Sequence, residues 1–130
     1  MSENFLGSFR NGEEIRFAAG QVVFKKGDAG HEIYIVRSGE LQILDGNRVF
    51  ETVGPGGIVG EMALVDGGPR SATVRANSAS EVIPMDERRF LFMVQQTPHF
   101  ALRVMKVMSA RLRAMNVRAT AITDQDSVTD

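Results

Sequence analysis

Residues Gly60–Val74 read GEMALVDGGPRSATV. The run is apolar and glycine-rich, yet it holds an acid, Glu61, at its start and an arginine, Arg70, near its end. A surface turn would carry more polar residues, and a core strand would hold no arginine. A helix N-terminus beside a tight glycine turn accounts for both. Its first backbone N–H groups have no intrahelical partner and present the positive end of the dipole, which suits an anion. GEMALV is long enough for about one and a half turns. Gly60 lets a ligand approach the backbone there, and Met62, Ala63 and Leu64 offer amides. Gly67, Gly68 and Pro69 then fold the chain back and return Arg70 towards the helix start. Arginine grips phosphate with two parallel donors and stays charged when shielded from water. Glu61 cannot serve a phosphate, but it accepts hydrogen bonds from hydroxyls, which a ribose supplies. An anion seat and a hydroxyl acceptor this close together describe a sugar phosphate. The competing reading makes Arg70 a structural arginine paired with Glu61 or Asp66, with Glu61 serving only the helix dipole.

Outward from this run the pattern is mainly β. From Glu14 to Asp86 glycines and turns recur about every 8–12 residues, the spacing of an antiparallel sandwich or barrel. Short strands are expected at Ile15–Ala18 and Val22–Lys25, broken at Gly20. In HEIYIVRSGELQIL, Ile33 and Ile35 point one way and Tyr34 and Val36 the other, with a bend at Gly39 before Leu41–Leu44. Asp45–Asn47, DGN, is a hairpin turn, because Asp-Gly tolerates positive φ. RVFETV makes a further strand closed by Gly54–Gly57, and Ala72–Ala76 and Glu81–Met85 make a last pair.

The period then changes. Asp86 is placed to cap a helix over about 86–96, its carboxylate accepting a free N–H. Pro98 suits the first turn of a second helix over about 98–119, which puts Ala101, Val104, Met108, Leu112 and Met115 on one stripe. The expected fold is mainly β with α: an eight-stranded antiparallel, jelly-roll-like β-roll, a short N-terminal helix at Asn4–Arg10, a helix in the quoted run and two C-terminal helices. One domain covers 1–119, and the polar residues 120–130 form a disordered tail.

Composition narrows the function. The chain has 130 residues, is 43% hydrophobic and carries a formal net charge of −1, so no basic field points to nucleic acid or an anionic membrane. No apolar run approaches the roughly 20 residues that span a bilayer, and the N-terminus lacks the features of a signal peptide. A cytoplasmic domain is the expectation. There are no cysteines and two histidines, His31 and His99, far apart in sequence. Clustered imidazoles for a metal are therefore not expected, and neither a Ser-His-Asp arrangement nor paired catalytic acids present themselves. The reading is a binding domain, not an enzyme, without cofactor or metal.

GEMAL, four intervening residues, then PRSATV resembles the phosphate-binding cassette of the cyclic nucleotide-binding domains of catabolite activator proteins, kinase A regulatory subunits and cyclic-nucleotide-gated channels. KKGDAG (Lys25–Gly30), VRSGELQI (Val36–Ile43) and GPGGIVGE (Gly54–Glu61) support the likeness, which runs over about Glu13–Ala119. It implies that Arg70 pairs with the cyclic phosphate and Glu61 accepts the ribose 2′-hydroxyl. Gly60, Met62 and Ala63 would add backbone amides, Ser71 an amide or its hydroxyl, and Ala72 and Val59 flank them. Val59 stands where phenylalanine is usual, a position that supports packing more than ligand contact. The family's last helix closes over the purine. Here Arg111 is the candidate to stack on the base, with Arg113 and Arg118 as competitors and Met108, Leu112 and Met115 as apolar alternatives.

The implied function is a cyclic nucleotide sensor, for cAMP and secondarily cGMP, that closes its C-terminal helix over the ligand. Ser71 takes the place where a threonine assists guanine, which favours cAMP. The alternative is an interaction module of the same fold with a little-used pocket, or a fragment of a larger transcription regulator or channel. No segment for direct nucleic-acid or membrane binding is evident. The apolar last helix offers a surface to a second copy or an effector.

Overall fold

A computed structural model describes residues 14–129. The helix expected at Asn4–Arg10 lies outside the described residues. Eight strands and three helices follow in order: β1 (Ile15–Phe17), β2 (Val22–Phe24), β3 (Ile33–Ser38), β4 (Leu41–Asp45), β5 (Arg48–Val53), β6 (Ile58–Val59), α1 (Glu61–Asp66), β7 (Thr73–Ala76), β8 (Ser80–Met85), α2 (Glu87–Gln96) and α3 (His99–Thr129). The strands form two four-stranded sheets, ordered β1-β8-β3-β6 and β2-β7-β4-β5, with antiparallel pairing throughout. This is the expected β-roll. Its shortest strand, β6, was not separable in sequence from the glycine turn before it.

The alternation in β3 sets the layering. Ile33 and Ile35, both fully buried, join Ile58, Ile83, Met85, Met93, Phe100 and Val104 in a core between one sheet and the helices. Val36 joins Leu41, Ile43, Val53, Val59, Val74, Ala76 and Val82 in a second core between the sheets, with Tyr34 packed against it. Because side chains alternate across a strand, β3, β6 and β8 each contribute to both cores.

Local chemistry explains the connections. In the β4–β5 hairpin Asp45 pairs with Arg48, leaving Gly46 and Asn47 as loop residues, and Gly46 takes φ +63°. The Asp86 side chain accepts the Arg89 amide at 2.8 Å, which fixes the start of α2. Helix α3 differs from expectation at its far end. It continues to Thr129, ten residues past Ala119, where a disordered tail had been expected. The polar composition of TDQDSVTD suggested a tail, but no proline or glycine interrupts the run, so backbone hydrogen bonding continues through it.

Candidate functional site

Strand β6 leads directly into the quoted run. Gly60 takes φ +83°, a conformation costly for any side chain, and α1 begins at the next residue. Glu61 therefore occupies the first helical position, 7% exposed. Met62 is exposed on the same helix, Ser71 is exposed beyond the turn, and Ala72 packs at the edge of the inter-sheet core. Ala63 lies in the first turn of α1. Val59 is fully buried in the inter-sheet core, the packing role expected of it.

Arg70 is brought back as anticipated, and the agent is the Lys25–Gly30 loop. The Gly27 amide donates to the Arg70 carbonyl and the Arg70 amide donates to the Asp28 carbonyl, both at 2.8 Å. Its side chain is 5% exposed. Nη1 donates to the Glu32 carbonyl at 2.8 Å and to the Gly60 carbonyl at 3.3 Å, while Nε is buried without a hydrogen-bond partner. Neither Glu61 nor Asp66 pairs with it. The Asp66 carboxylate accepts the Gly68 amide instead, so the competing structural ion pair is not what the chain builds. A Cβ on Gly30 or Gly60 would overlap the guanidinium, so both glycines give it room.

Two residues of this neighbourhood escaped sequence reasoning. The Arg70 guanidinium carbon lies 4.2 Å from the Phe24 ring centroid and 5.6 Å from that of Tyr34. The two rings stack at 6.1 Å with an interplanar angle of 28°. Burial, aided by the Glu32 carboxylate, pushes the Tyr34 phenol above its usual value, and Arg70 beside it pulls the other way. Sequence offered only their place: Phe24 directly precedes Lys25–Gly30, and Tyr34 lies two residues before Val36–Ile43.

Arg111 departs from its expected role. It is 7% exposed and committed: Nη1 to Glu61 at 2.5 Å, Nε and Nη2 to Glu51 at 2.9 and 3.2 Å, and Nη2 to the Ile58 carbonyl at 2.6 Å. A guanidinium fixed in this way is not offered to a purine face. It instead ties α3 to β5, β6 and α1, through the same carboxylate expected to receive a ribose. Leu112, next to Arg111, and Met115, one turn further along α3, are exposed, and Met108 packs partly against the helical core.

An open hollow of about 510 Å³ lies beside α1, lined by His31, Leu64, Asp66, Gly67, Asp86, Glu87 and Arg88. Neither Arg70 nor Glu61 lines it. No helix among the described residues is long and apolar enough to cross a membrane.

The cassette geometry coincides with a match to the family model for the cyclic nucleotide-binding domain over residues 14–97. The chain belongs to this family. It is 28% identical over 116 residues to the cyclic AMP receptor protein of Thermus thermophilus, covering 85% of this chain and 54% of that protein. The crystal structure of Thermus thermophilus catabolite activator protein superposes with a TM-score of 0.76 at 26% identity, covering 94% of this chain and 59% of that one. A 108-residue stretch is 30% identical to lysophospholipase NTE1 of Chaetomium globosum, covering 79% of this chain but 7% of the enzyme. The chain thus spans about half the length of one curated relative and a small part of another.

Proposed function

We propose that this cyclic nucleotide-binding domain is a sensor for cAMP, with cGMP as a weaker ligand, and that it has no catalytic activity of its own. The observation that carries the reading is Arg70: buried, with Nη1 bonded to the Glu32 and Gly60 carbonyls beside the start of α1, and with Nε packed against Gly30 without a hydrogen-bond partner. A cyclic phosphate would take the Nε edge together with the α1 amides, and its ribose would lie towards Glu61. Similarity to a cyclic AMP receptor protein, and Ser71 standing where a threonine would assist guanine, support cAMP over cGMP.

Signal transfer follows from Glu61. Its carboxylate is held by Arg111 of α3, so a ribose hydroxyl arriving there competes for an acceptor that anchors the helix. Glu51 keeps the Arg111 charge compensated while Glu61 changes partner. The ligand thereby acts differently on the anchored and released positions of α3, which a population shift requires. The released helix closes over the base with Met108, Leu112 or Met115. Met105 and Leu112, and Met108 and Met115, repeat at heptad spacing, and of these Met105, Leu112 and Met115 are exposed. This seam would pair with a second copy or an effector. We place the domain in the cytoplasm.

Thermal unfolding tests the reading. cAMP at about 100 times its Kd stabilises the folded state by about 2.7 kcal/mol, a rise of several degrees for a domain of this size. No shift with millimolar cAMP or cGMP rejects the sensor in favour of an interaction module.

A further inference from the structure

The two buried arginines of this site are compensated in opposite ways. Arg111 is neutralised by two carboxylates. Arg70, equally buried, is bonded to none. Its surroundings are two carbonyl oxygens, the tightly fitted backbone at Gly30 and Gly60, and the stacked faces of Phe24 and Tyr34. Phe24 stands on β2 and Tyr34 on β3, so the ring pair is assembled across the two sheets.

We infer that Phe24 is a positioning residue for anion recognition, with Tyr34 supporting it: the ring face holds the Arg70 guanidinium in place and attracts its charge without cancelling it. This rests on the proposal that Arg70 receives the cyclic phosphate. An aromatic quadrupole draws a cation electrostatically but brings no net negative charge and no competing hydrogen-bond acceptor. A carboxylate at the same place would satisfy Arg70 and leave little to gain from a phosphate. The ring does the reverse. It keeps the guanidinium buried, oriented and still electropositive, with Nε facing no acceptor of the protein.

The test compares Phe24→Leu, which keeps an apolar side chain of similar bulk in the inter-sheet core but removes the ring face, with Phe24→Tyr, which retains it. Calorimetric titration with cAMP is expected to give a Kd about tenfold weaker for Phe24→Leu and within about twofold of the parent for Phe24→Tyr. Adenosine, which lacks the phosphate, should bind both variants equally. In an Arg70→Gln background Phe24→Leu should add nothing. An unchanged Kd for Phe24→Leu, or equal losses for cAMP and adenosine, overturns the inference. A second readout is independent of the nucleotide. The Arg70 Nε–H resonance should show the upfield ring-current shift of a group above an aromatic face and lose it in Phe24→Leu. If the parent binds no cAMP yet shows this shift, the functional proposal fails and the ring seat stands. If the shift is absent, the seat itself is refuted.

Discussion

Arg111 and Glu61 are 50 residues apart in the chain, yet their side chains meet at 2.5 Å, and this contact joins the last helix to the first turn of the cassette helix. Glu61 is 7% exposed, and Arg111 is the cation that compensates it. Arg111→Ala should destabilise the nucleotide-free protein by about 3–5 kcal/mol, the usual cost of leaving one member of a buried pair alone. Glu51, more exposed, contributes less to this cost. Urea unfolding measures it, and adding Glu61→Gln to Arg111→Ala should recover part of the loss. Strict additivity of the two substitutions would show that the contact carries no coupling.

Arg70 should behave differently. Replacing it with methionine removes a buried charge that no carboxylate balances, so nucleotide-free stability should fall by less than about 1 kcal/mol or rise. Affinity for cAMP should fall more than tenfold, because charge-assisted bonds to phosphate are worth about 1.5–3 kcal/mol each. A large loss of stability in the methionine variant would instead make Arg70 a structural residue.

Gly30→Ala isolates the geometry of the seat. Gly30 has no positive φ, so alanine meets no backbone penalty, and the added Cβ would collide with the Arg70 guanidinium. The expected result is a near-normal unfolding midpoint with cAMP binding weakened by about tenfold or more, since displaced donors forfeit at least one charge-assisted bond. At Gly60, with φ +83°, alanine should lower both stability and affinity.

Tyr34 is the single tyrosine in a chain without tryptophan, so the ultraviolet absorbance of its phenolate reports one site. Its folded pKa is raised above the ordinary value of 10.0. The stability linked to the neutral phenol is therefore fully present below about pH 10 and is lost as pH rises through the higher folded value. A titration midpoint above 10 in the native protein and near 10 in urea is expected. Tyr34→Phe should remove this part of the alkaline decline.

Much of the arrangement was legible because it is local. The alternation of Ile33, Tyr34, Ile35 and Val36 placed alternate residues in separate cores, because neighbouring side chains of one strand point to opposite faces. The Asp86 cap and the Gly46 turn follow from single-residue chemistry. The turn at Gly67–Pro69 returns the chain towards α1 in sequence, although it is the Lys25–Gly30 loop that fixes Arg70 there. What stayed hidden depends on contacts between distant segments. The partners of Arg111 come from Glu51 and Glu61, 60 and 50 residues away, and nothing in its own helix announces them. Phe24 read only as a strand residue, since its meeting with Arg70 requires β2 to pair with β7, far along the chain.

Strand β3 is a party wall. Ile33 and Ile35 furnish the room occupied by α2 and α3, whereas Tyr34 and Val36 furnish the one behind the anion seat. The doorway between them is the Arg111–Glu61 contact, through which a change among the helices reaches the start of α1.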